Sequence, residues 1–118
     1  MMAGRNISAS KMAMGSTRVM GTCAVGGQAV GTAAAMCINM NCRPSDILNH
    51  IEELQQTLLR DDCYIPNILN SDNLDKARDA KIKASSEREG FEAVNVINGV
   101  ARTTENGTNM WASNGISA

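Results

Sequence analysis

The chain has 118 residues, which is enough for one modest domain or for parts of two. Only 3% of the residues are aromatic, so a core built mainly from Ala, Met, Val, Ile and Leu lacks the large side chains that anchor small independent domains. The net charge of −1 hides an asymmetry: residues 1–43 carry four basic residues and no acidic residue, and the remainder has a net charge of −5. An acid-free segment suits a phosphate-bearing partner, although four dispersed cations can equally serve solubility alone. The absence of a dense basic run argues against nucleic-acid binding.

The four cysteines do not form a metal-binding pattern. No Cys-x-x-Cys pair occurs, and His50 has no cysteine near it in sequence, so a zinc site is not expected. Cys42 and Cys63 bracket a predicted helix whose ends lie roughly 24 Å apart at 1.5 Å per residue, too far for a disulfide. All four cysteines are therefore interpreted as reduced, which does not fix the cellular compartment.

Targeting signals are not expected. Met1 and Met2 lead directly into Ala-Gly-Arg without the long apolar core of a signal peptide. The stretch from Val19 to Met36 is uncharged over 18 residues, but it contains four glycines, two threonines and a glutamine. That composition is too weakly apolar to predict a membrane span.

The first half of the chain predicts a helical hairpin. Residues 1–18 are expected to be a loop with short extended pieces, because Gly, Asn and Ser interrupt any regular period. Residues 21–40 predict a helix with Thr22 as its N-cap. Glycines inside this helix are costly, which suggests that close packing against another surface offsets them, and Gly27 and Gly31 share one face.

A second helix is predicted to begin at Pro44-Ser45-Asp46, with proline and an acid in the first turn. Its apolar stripe follows helical spacing and consists of Ile47, Ile51, Leu54 and Leu58. A short loop joins the two helices.

The second half predicts a linker and a β tail. Residues 67–80 are rich in Asn and Asp, and 73–80 can form a weak helical turn. Three Asn-Gly pairs follow at a spacing of eight residues: Asn98-Gly99, Asn106-Gly107 and Asn114-Gly115. Because Asn-Gly is a strong hairpin-turn signal, short strands are expected between these pairs.

The run over residues 15–35, from Gly-Ser-Thr-Arg-Val-Met-Gly-Thr-Cys to Thr-Ala-Ala-Ala, places one arginine before a helix of small residues. Together with Gly-Arg-Asn-Ile-Ser at residues 4–8, it resembles the C-terminal flavin-contacting segment of FAD-dependent oxidoreductases related to the glutathione-reductase fold. The resemblance covers residues 3–66. Over residues 1–66 it implies a helical hairpin from the C-terminal part of an FAD-binding fold. Together with the linker expected over 67–80 and the short, incomplete β tail expected over 81–118, the predicted fold class is α+β.

The resemblance also implies a site. In such enzymes a helix N-terminus lies near the pyrimidine edge of the flavin ring, where backbone N–H groups stabilise the negative charge of the reduced flavin. The FAD-contacting residues would be Arg18, Met20, Gly21, Thr22 and Cys23. Gly21 would admit the ring, Thr22 and Cys23 would present N–H groups, and the hydroxyls of Ser16 and Thr17 could add contacts. The plainer alternative is a loop that enters a packed Gly/Ala helix, with Arg18 solvated.

The tail has a weaker resemblance to the opening of a discoidin-like carbohydrate-binding β-sandwich. It rests on Ala84-Ser85-Ser86, residues 93–99 and Trp111-Ala112-Ser113. Trp111 could stack on a sugar, or it could belong to the core of the sandwich.

These observations predict a fragment of an FAD-dependent oxidoreductase. The chain lacks the GxGxxG turn that holds a dinucleotide, so it is expected neither to hold FAD tightly nor to turn over alone. A small-molecule substrate would belong to the parent enzyme. The alternatives are a glycan-binding module with a helical support, and a helical protein that buries its Gly/Ala face against a partner.

Overall fold

The computed structural model describes residues 1–105 and 107–115. Contacts divide the chain into two compact units, residues 1–63 and residues 64–118. The three α-helices of the described chain all lie in the first unit: α1 (Lys11–Thr17), α2 (Met20–Met40) and α3 (Ile51–Arg60). Four short 3-10 helices complete the regular structure: Gly4–Asn6, Asp46–His50, Lys76–Asp79 and Ala93–Ile97.

The N-terminal segment is more helical than the sequence predicted. Ser10 begins α1, because its Oγ accepts a hydrogen bond from the backbone N–H of Ala13 at 3.2 Å. The prediction of a loop over residues 1–18 was therefore wrong for Lys11–Thr17. The local capping bond outweighs the breaking tendency of the Gly15-Ser16 pair.

The long helix lies where the sequence placed it, within a residue of the predicted start. Its N-cap is Val19 rather than Thr22, which lies inside the first turn, so that part of the prediction was wrong. The helix ends at Asn41, whose left-handed backbone (φ 51°, ψ 43°) directs the chain back toward α3.

The second predicted helix forms in two pieces. Residues 46–50 make a 3-10 helix, and His50 (φ −118°, ψ 27°) interrupts the helical geometry before α3 begins. The interruption changes the register of the predicted apolar stripe. Ile47, Leu54 and Leu58 are buried, whereas Ile51 is 41% exposed.

The core of the first unit lies between α2 and the α3 segment. Seven of its described residues are buried: Ala33, Met36, Cys37, Ile47, Leu54, Leu58 and Cys63. The side chain of Gln28 adds a polar link, since its amide donates to the carbonyl oxygen of Asp61 at 3.3 Å. The predicted helical hairpin is thus present as a packed pair.

The opposite face of α2 is bare. Met20, Ala24, Gly27, Gly31, Ala35 and Ile38 all lie on this outward face, and each is exposed. No atom lies within 4 Å of the position that a Cβ would take on Gly27 or Gly31. The close packing predicted for these glycines is therefore not supplied by the residues that the structure describes. By length and composition alone α2 could cross a membrane, which is weak evidence from one helix, because the core helix of a soluble protein and a signal sequence near an N-terminus pass the same test.

The second unit is held together by turns and side-chain hydrogen bonds. Its described residues contain two isolated antiparallel bridges, Arg88 with Phe91 and Thr104 with Gly107, and no strand. The predicted helical turn forms at Lys76–Asp79, while the β tail is not confirmed. Asn106 of the middle Asn-Gly pair lies outside the described residues, as do residues 116–118 of the predicted β module.

Candidate functional site

The five predicted contact residues lie where α1 meets α2. Arg18 closes α1, since its backbone N–H donates to the carbonyl oxygen of Met14 at 3.2 Å. Val19 is extended (φ −70°, ψ 150°), and α2 begins directly after it. Two residues, Arg18 and Val19, therefore separate the helices, and this short connection brings Arg18 next to the first turn of α2.

The first turn of α2 has donor groups without helical partners. No side chain caps it, and the backbone N–H of Cys23 donates to the carbonyl oxygen of Val19 at 2.9 Å as the first bond of the helix. The N–H groups of Met20, Gly21 and Thr22 precede that bond and have no intrahelical acceptor. The expectation that Cys23 presents a free N–H was wrong, whereas for Thr22 the geometry allows it.

The surroundings of this turn are open. Met20 is 89% exposed, and Arg18, Gly21 and Thr22 are also exposed. No atom lies within 4 Å of the position of a Cβ on Gly21. Within the described chain, the start of α2 is therefore accessible to a flat ligand.

Cys23 has a structural contact. It is half-buried, and its thiol donates to the carbonyl oxygen of Thr17 at 3.5 Å. A Cβ on Gly4 would lie 3.9 Å from the Cys23 Sγ, so the first 3-10 helix packs against this thiol. These contacts hold the start of α2 against the two preceding elements.

The hydroxyl of Thr17 is already used within α1. It donates to the carbonyl oxygen of Ala13 at 3.1 Å. Thr17 therefore supports the end of α1, and the contact that the resemblance allowed for its hydroxyl would require this bond to break.

The local electrostatics favour an electron-rich ligand. The first turns of α1 and α2 contain no acidic residue, and Arg18 takes part in neither of the ion pairs found among the described residues. The N-terminal end of a helix carries a partial positive charge that adds to the charge of Arg18. The arrangement can stabilise negative charge on a group placed at this turn.

The other titratable candidates lie elsewhere. His50 is at the junction before α3, with its Nδ1 3.8 Å from a carboxylate oxygen of Glu53, which agrees with a surface histidine. Among the described residues no group of three His, Cys, Asp or Glu side chains could hold a metal ion. The candidate chemistry of the first unit thus concerns the start of α2.

Two supporting residues were missed from the sequence. Ser10 caps α1, and the signal was available, since serine before Lys-Met-Ala-Met is a normal helix start. Val19 begins α2 through backbone geometry alone, and valine gives no capping signal.

Comparison with known families singles out the same half of the chain. Residues 1–58 match the family model described as FAD dependent oxidoreductase. The match covers just under half of the 118 residues and includes all five candidate residues. It supports the interpretation of this segment as a fragment of an FAD-dependent oxidoreductase. Neither the curated proteins nor the solved structures gave a match.

Proposed function

We propose that this chain supplies the flavin-side segment of an FAD-dependent oxidoreductase, with the first turn of α2 lying against the flavin ring. The observation that carries the proposal is the family match over residues 1–58, which contains α1, α2 and most of α3. In the parent enzyme the reaction would pass a hydride or electrons between a small-molecule substrate and FAD.

The role proposed for the first turn is electrostatic. Reduction of a flavin places negative charge on its pyrimidine edge, and the N–H groups of Met20, Gly21 and Thr22 would stabilise that charge. The lack of a side chain on Gly21 would let the ring approach the backbone. Arg18 would face the ring edge or a carboxylate, and Cys23 would position the turn through its bond to Thr17.

The bare face of α2 supports the interpretation as a fragment. A helix that exposes Met20, Ala24, Ala35 and Ile38 leaves apolar area in water that further protein would cover. Its glycines cost helix stability, and among the described residues no atom outside the local helix backbone lies within 4 Å of the positions their Cβ atoms would take. We infer that the missing contact surface belongs to the nucleotide-binding part of the parent enzyme.

The first test is whether the chain retains FAD. The 118-residue protein, incubated with excess FAD and passed through a desalting column, should emerge colourless. The reason is that no dinucleotide-binding turn is present in the sequence. A yellow protein with stoichiometric flavin would contradict the proposal that this chain alone does not bind FAD.

The second test concerns the site itself. Titration of the isotope-labelled chain with riboflavin phosphate should shift the amide signals of Met20, Gly21 and Thr22, with a Kd of about 1 mM, near −4 kcal/mol. Arg18→Ala should weaken these shifts, and Lys11→Ala at the start of α1 is the matched control for lost positive charge. Shifts confined to other residues would reject the site.

A second candidate function concerns the tail. Trp111 is 42% exposed, which disagrees with the core position left open by the sequence and leaves its ring accessible for sugar stacking. It borders a groove of about 320 Å³ lined also by Ile82, Ala93 and Val96. Its indole N–H donates to the carbonyl oxygen of Ser86 at 3.2 Å, so only the ring face remains for a ligand. Binding of the full chain on a glycan array, lost in Trp111→Ala, would establish this function, and an array without signal would reject it.

A further inference from the structure

The C-terminal ends of α2 and α3 have the same hydrogen-bonded turn. At the end of α2, the N–H of Cys42 donates to the carbonyl oxygen of Cys37 at 3.0 Å, and the N–H of Asn41 donates to that of Ile38 at 3.2 Å. With Asn41 in the left-handed region (φ 51°), this is a Schellman motif. A side-chain contact between the two ends of the motif, here residues 37 and 42, frequently accompanies these hydrogen bonds.

The end of α3 has the same motif, with different side chains at the two positions that correspond to residues 37 and 42. The N–H of Cys63 donates to the carbonyl oxygen of Leu58 at 2.9 Å, and Asp62 is left-handed (φ 60°). Leu58 and Cys63 are each 5% exposed, so the corresponding pair in α3 is a buried apolar contact. In α2 the same two positions are both thiols.

The two thiols of α2 occupy these paired positions of the turn. The Cys37 thiol donates to the carbonyl oxygen of Arg43, the residue after Cys42, at 3.7 Å. Cys37 is buried and Cys42 is half-buried, and both line an open groove of about 720 Å³. A small reagent can therefore reach the pair from solvent.

We propose that Cys37 and Cys42 are a redox-responsive dithiol whose oxidised form is an intramolecular disulfide across the C-terminal turn of α2. A disulfide needs its two Cα atoms about 4.4–6.8 Å apart, and a direct backbone hydrogen bond between the same two residues holds them close. The oxidant is a small-molecule disulfide such as glutathione disulfide. The proposal is independent of the flavin site.

The chemistry proceeds in two balanced steps. The Cys42 thiolate attacks one sulfur of the small disulfide, so that a mixed disulfide forms on Cys42 and one small thiolate leaves. The Cys37 thiolate then attacks the Cys42 sulfur and releases the second small thiolate. Each released thiolate takes up the proton lost by the attacking cysteine. The protein loses two hydrogen atoms and two electrons, and the small disulfide becomes two thiols.

The surroundings of the pair set this order. Cys42 is the more exposed of the two and meets the reagent first. Burial raises the pKa of the Cys37 thiol, and the hydrogen bond and charge of Cys42 and the charge of Asp46 act in the same direction, while the N-terminal ammonium opposes them. Cys37 is therefore the poorer first nucleophile, because less of it is present as thiolate. Its attack on the mixed disulfide is intramolecular, so the small thiolate fraction acts at a high effective concentration.

The experiment uses the full 118-residue chain with Cys23→Ser, which keeps a side-chain donor toward Thr17. After reduction, the protein is incubated with a graded ratio of oxidised to reduced glutathione, denatured, alkylated and digested with trypsin. Trypsin does not cleave the bond between Arg43 and Pro44, so the tryptic peptide runs from Val19 to Arg60. The only cysteines in this peptide of the variant are Cys37 and Cys42, because Cys63 falls in the following peptide.

The expected product is specific. The peptide 19–60 should lack two hydrogen atoms and carry no alkyl group, while Cys63 in the same sample remains alkylated. Dimers joined through cysteine, glutathione left on both Cys37 and Cys42, or a disulfide to Cys63 would each overturn the proposal. Two alkyl groups on the peptide, at ratios that oxidise a reference dithiol peptide, would do the same.

Two further variants separate pairing from folding. In the Cys23→Ser background, Cys37→Ser should accumulate one glutathione on Cys42, because peptide 19–60 then contains no second thiol to displace it. In Cys42→Ser, the one thiol left in peptide 19–60 is the buried Cys37, and this peptide should take up glutathione at least tenfold more slowly. Equal glutathione incorporation in the two variants, with helical circular dichroism matching the parent, would refute the assigned order.

Discussion

Two glycines of the second unit have the same positive φ but different surroundings. Gly90 and Gly99 both have φ of 80°, and a Cβ on Gly90 would meet no atom within 4 Å. A Cβ on Gly99 would lie 2.7 Å from the carbonyl oxygen of Asn70. The backbone N–H of Asn70 donates to the carbonyl oxygen of Gly99 at 2.9 Å. The pair therefore separates the cost of backbone strain from the cost of a collision.

Gly90→Ala should destabilise the second unit by about 1–2 kcal/mol through the left-handed backbone alone. Gly99→Ala should cost about 3 kcal/mol or more, because the Asn70 segment must also move and its hydrogen bond is lost. Both losses of unfolding free energy can be measured by urea unfolding monitored through the fluorescence of Trp111, the one tryptophan of the sequence. Equal losses in the two variants would mean that the contact between residues 70 and 99 contributes nothing.

A second residue-level prediction concerns acid. The side chain and the backbone N–H of Arg43 donate to the Asp46 carboxylate, with Nε 3.3 Å from Oδ2, and these bonds lower the pKa of Asp46. A lowered pKa means that the stabilisation is complete above the ordinary pKa of an aspartate and is lost as the pH falls through the lowered value. Asp46→Asn should therefore reduce stability near neutral pH and flatten the acid dependence of helical circular dichroism.

Asp79→Asn, in the second unit, is the control for this experiment. It should leave the acid profile of the helices unchanged, because all three α-helices lie in residues 1–63. An Asp46→Asn profile that overlays the parent at every pH would contradict the assigned role of the Arg43–Asp46 pair.

At the scale of elements, α2 contains glycines whose positions require neither a positive φ nor space for a neighbouring atom among the described residues. Gly27 is exposed, has an ordinary helical backbone and has no atom near its missing side chain. Gly27→Ala should therefore stabilise the first unit by about 0.5–1 kcal/mol, the usual preference for alanine in a helix. Thermal unfolding followed by circular dichroism measures it.

Gly4→Ala is the opposite case. Gly4 has φ of 69°, so the substitution should destabilise although it adds the same methyl group. If Gly27→Ala were instead destabilising and its effect grew with protein concentration, the bare face of α2 would already be packed against another copy of the chain.

The helices differ in how far their sequences predict them. α2 could be located because its Ala-rich run has high helix propensity and Asn41 supplies a left-handed stop. The burial of Ile51 was predicted wrongly, since helical spacing from Ile47 assumes a continuous helix, and His50 interrupts it. α1 was missed because Gly15 and Ser16 have low helix propensity, and that propensity carries no information about the capping hydrogen bond from Ala13 to Ser10.

The site shows the same division between local and non-local information. The small-residue run located the start of α2, because side-chain size and helix propensity are local properties. Which N–H groups remain free depends on the residue at which the helix begins, and that residue is Val19 rather than Thr22. The Cys37–Cys42 contact required the turn geometry, since five residues of separation alone do not bring two side chains together.

At the scale of the whole molecule, each unit has its own contacts and its own probe. The α-helices report on residues 1–63, and Trp111 reports on residues 64–118. Leu58→Ala should remove about 2–4 kcal/mol from the first unit, because Leu58 is only 5% exposed. A unit with seven buried residues has little stability to lose, so its helical circular dichroism should fall sharply at room temperature.

The fluorescence of Trp111 should not change in the same variant, because its hydrogen bond to Ser86 and its groove lie within the second unit. Leu48→Ala is the matched control: Leu48 is 71% exposed, so its removal should shift neither signal by more than about 0.5 kcal/mol. The reciprocal variant, Gly99→Ala, should move the fluorescence transition and leave the helical one in place. A common midpoint that moves by the same amount in both probes would mean that residues 1–63 and 64–118 unfold as one cooperative structure, and the interpretation as two units would fail.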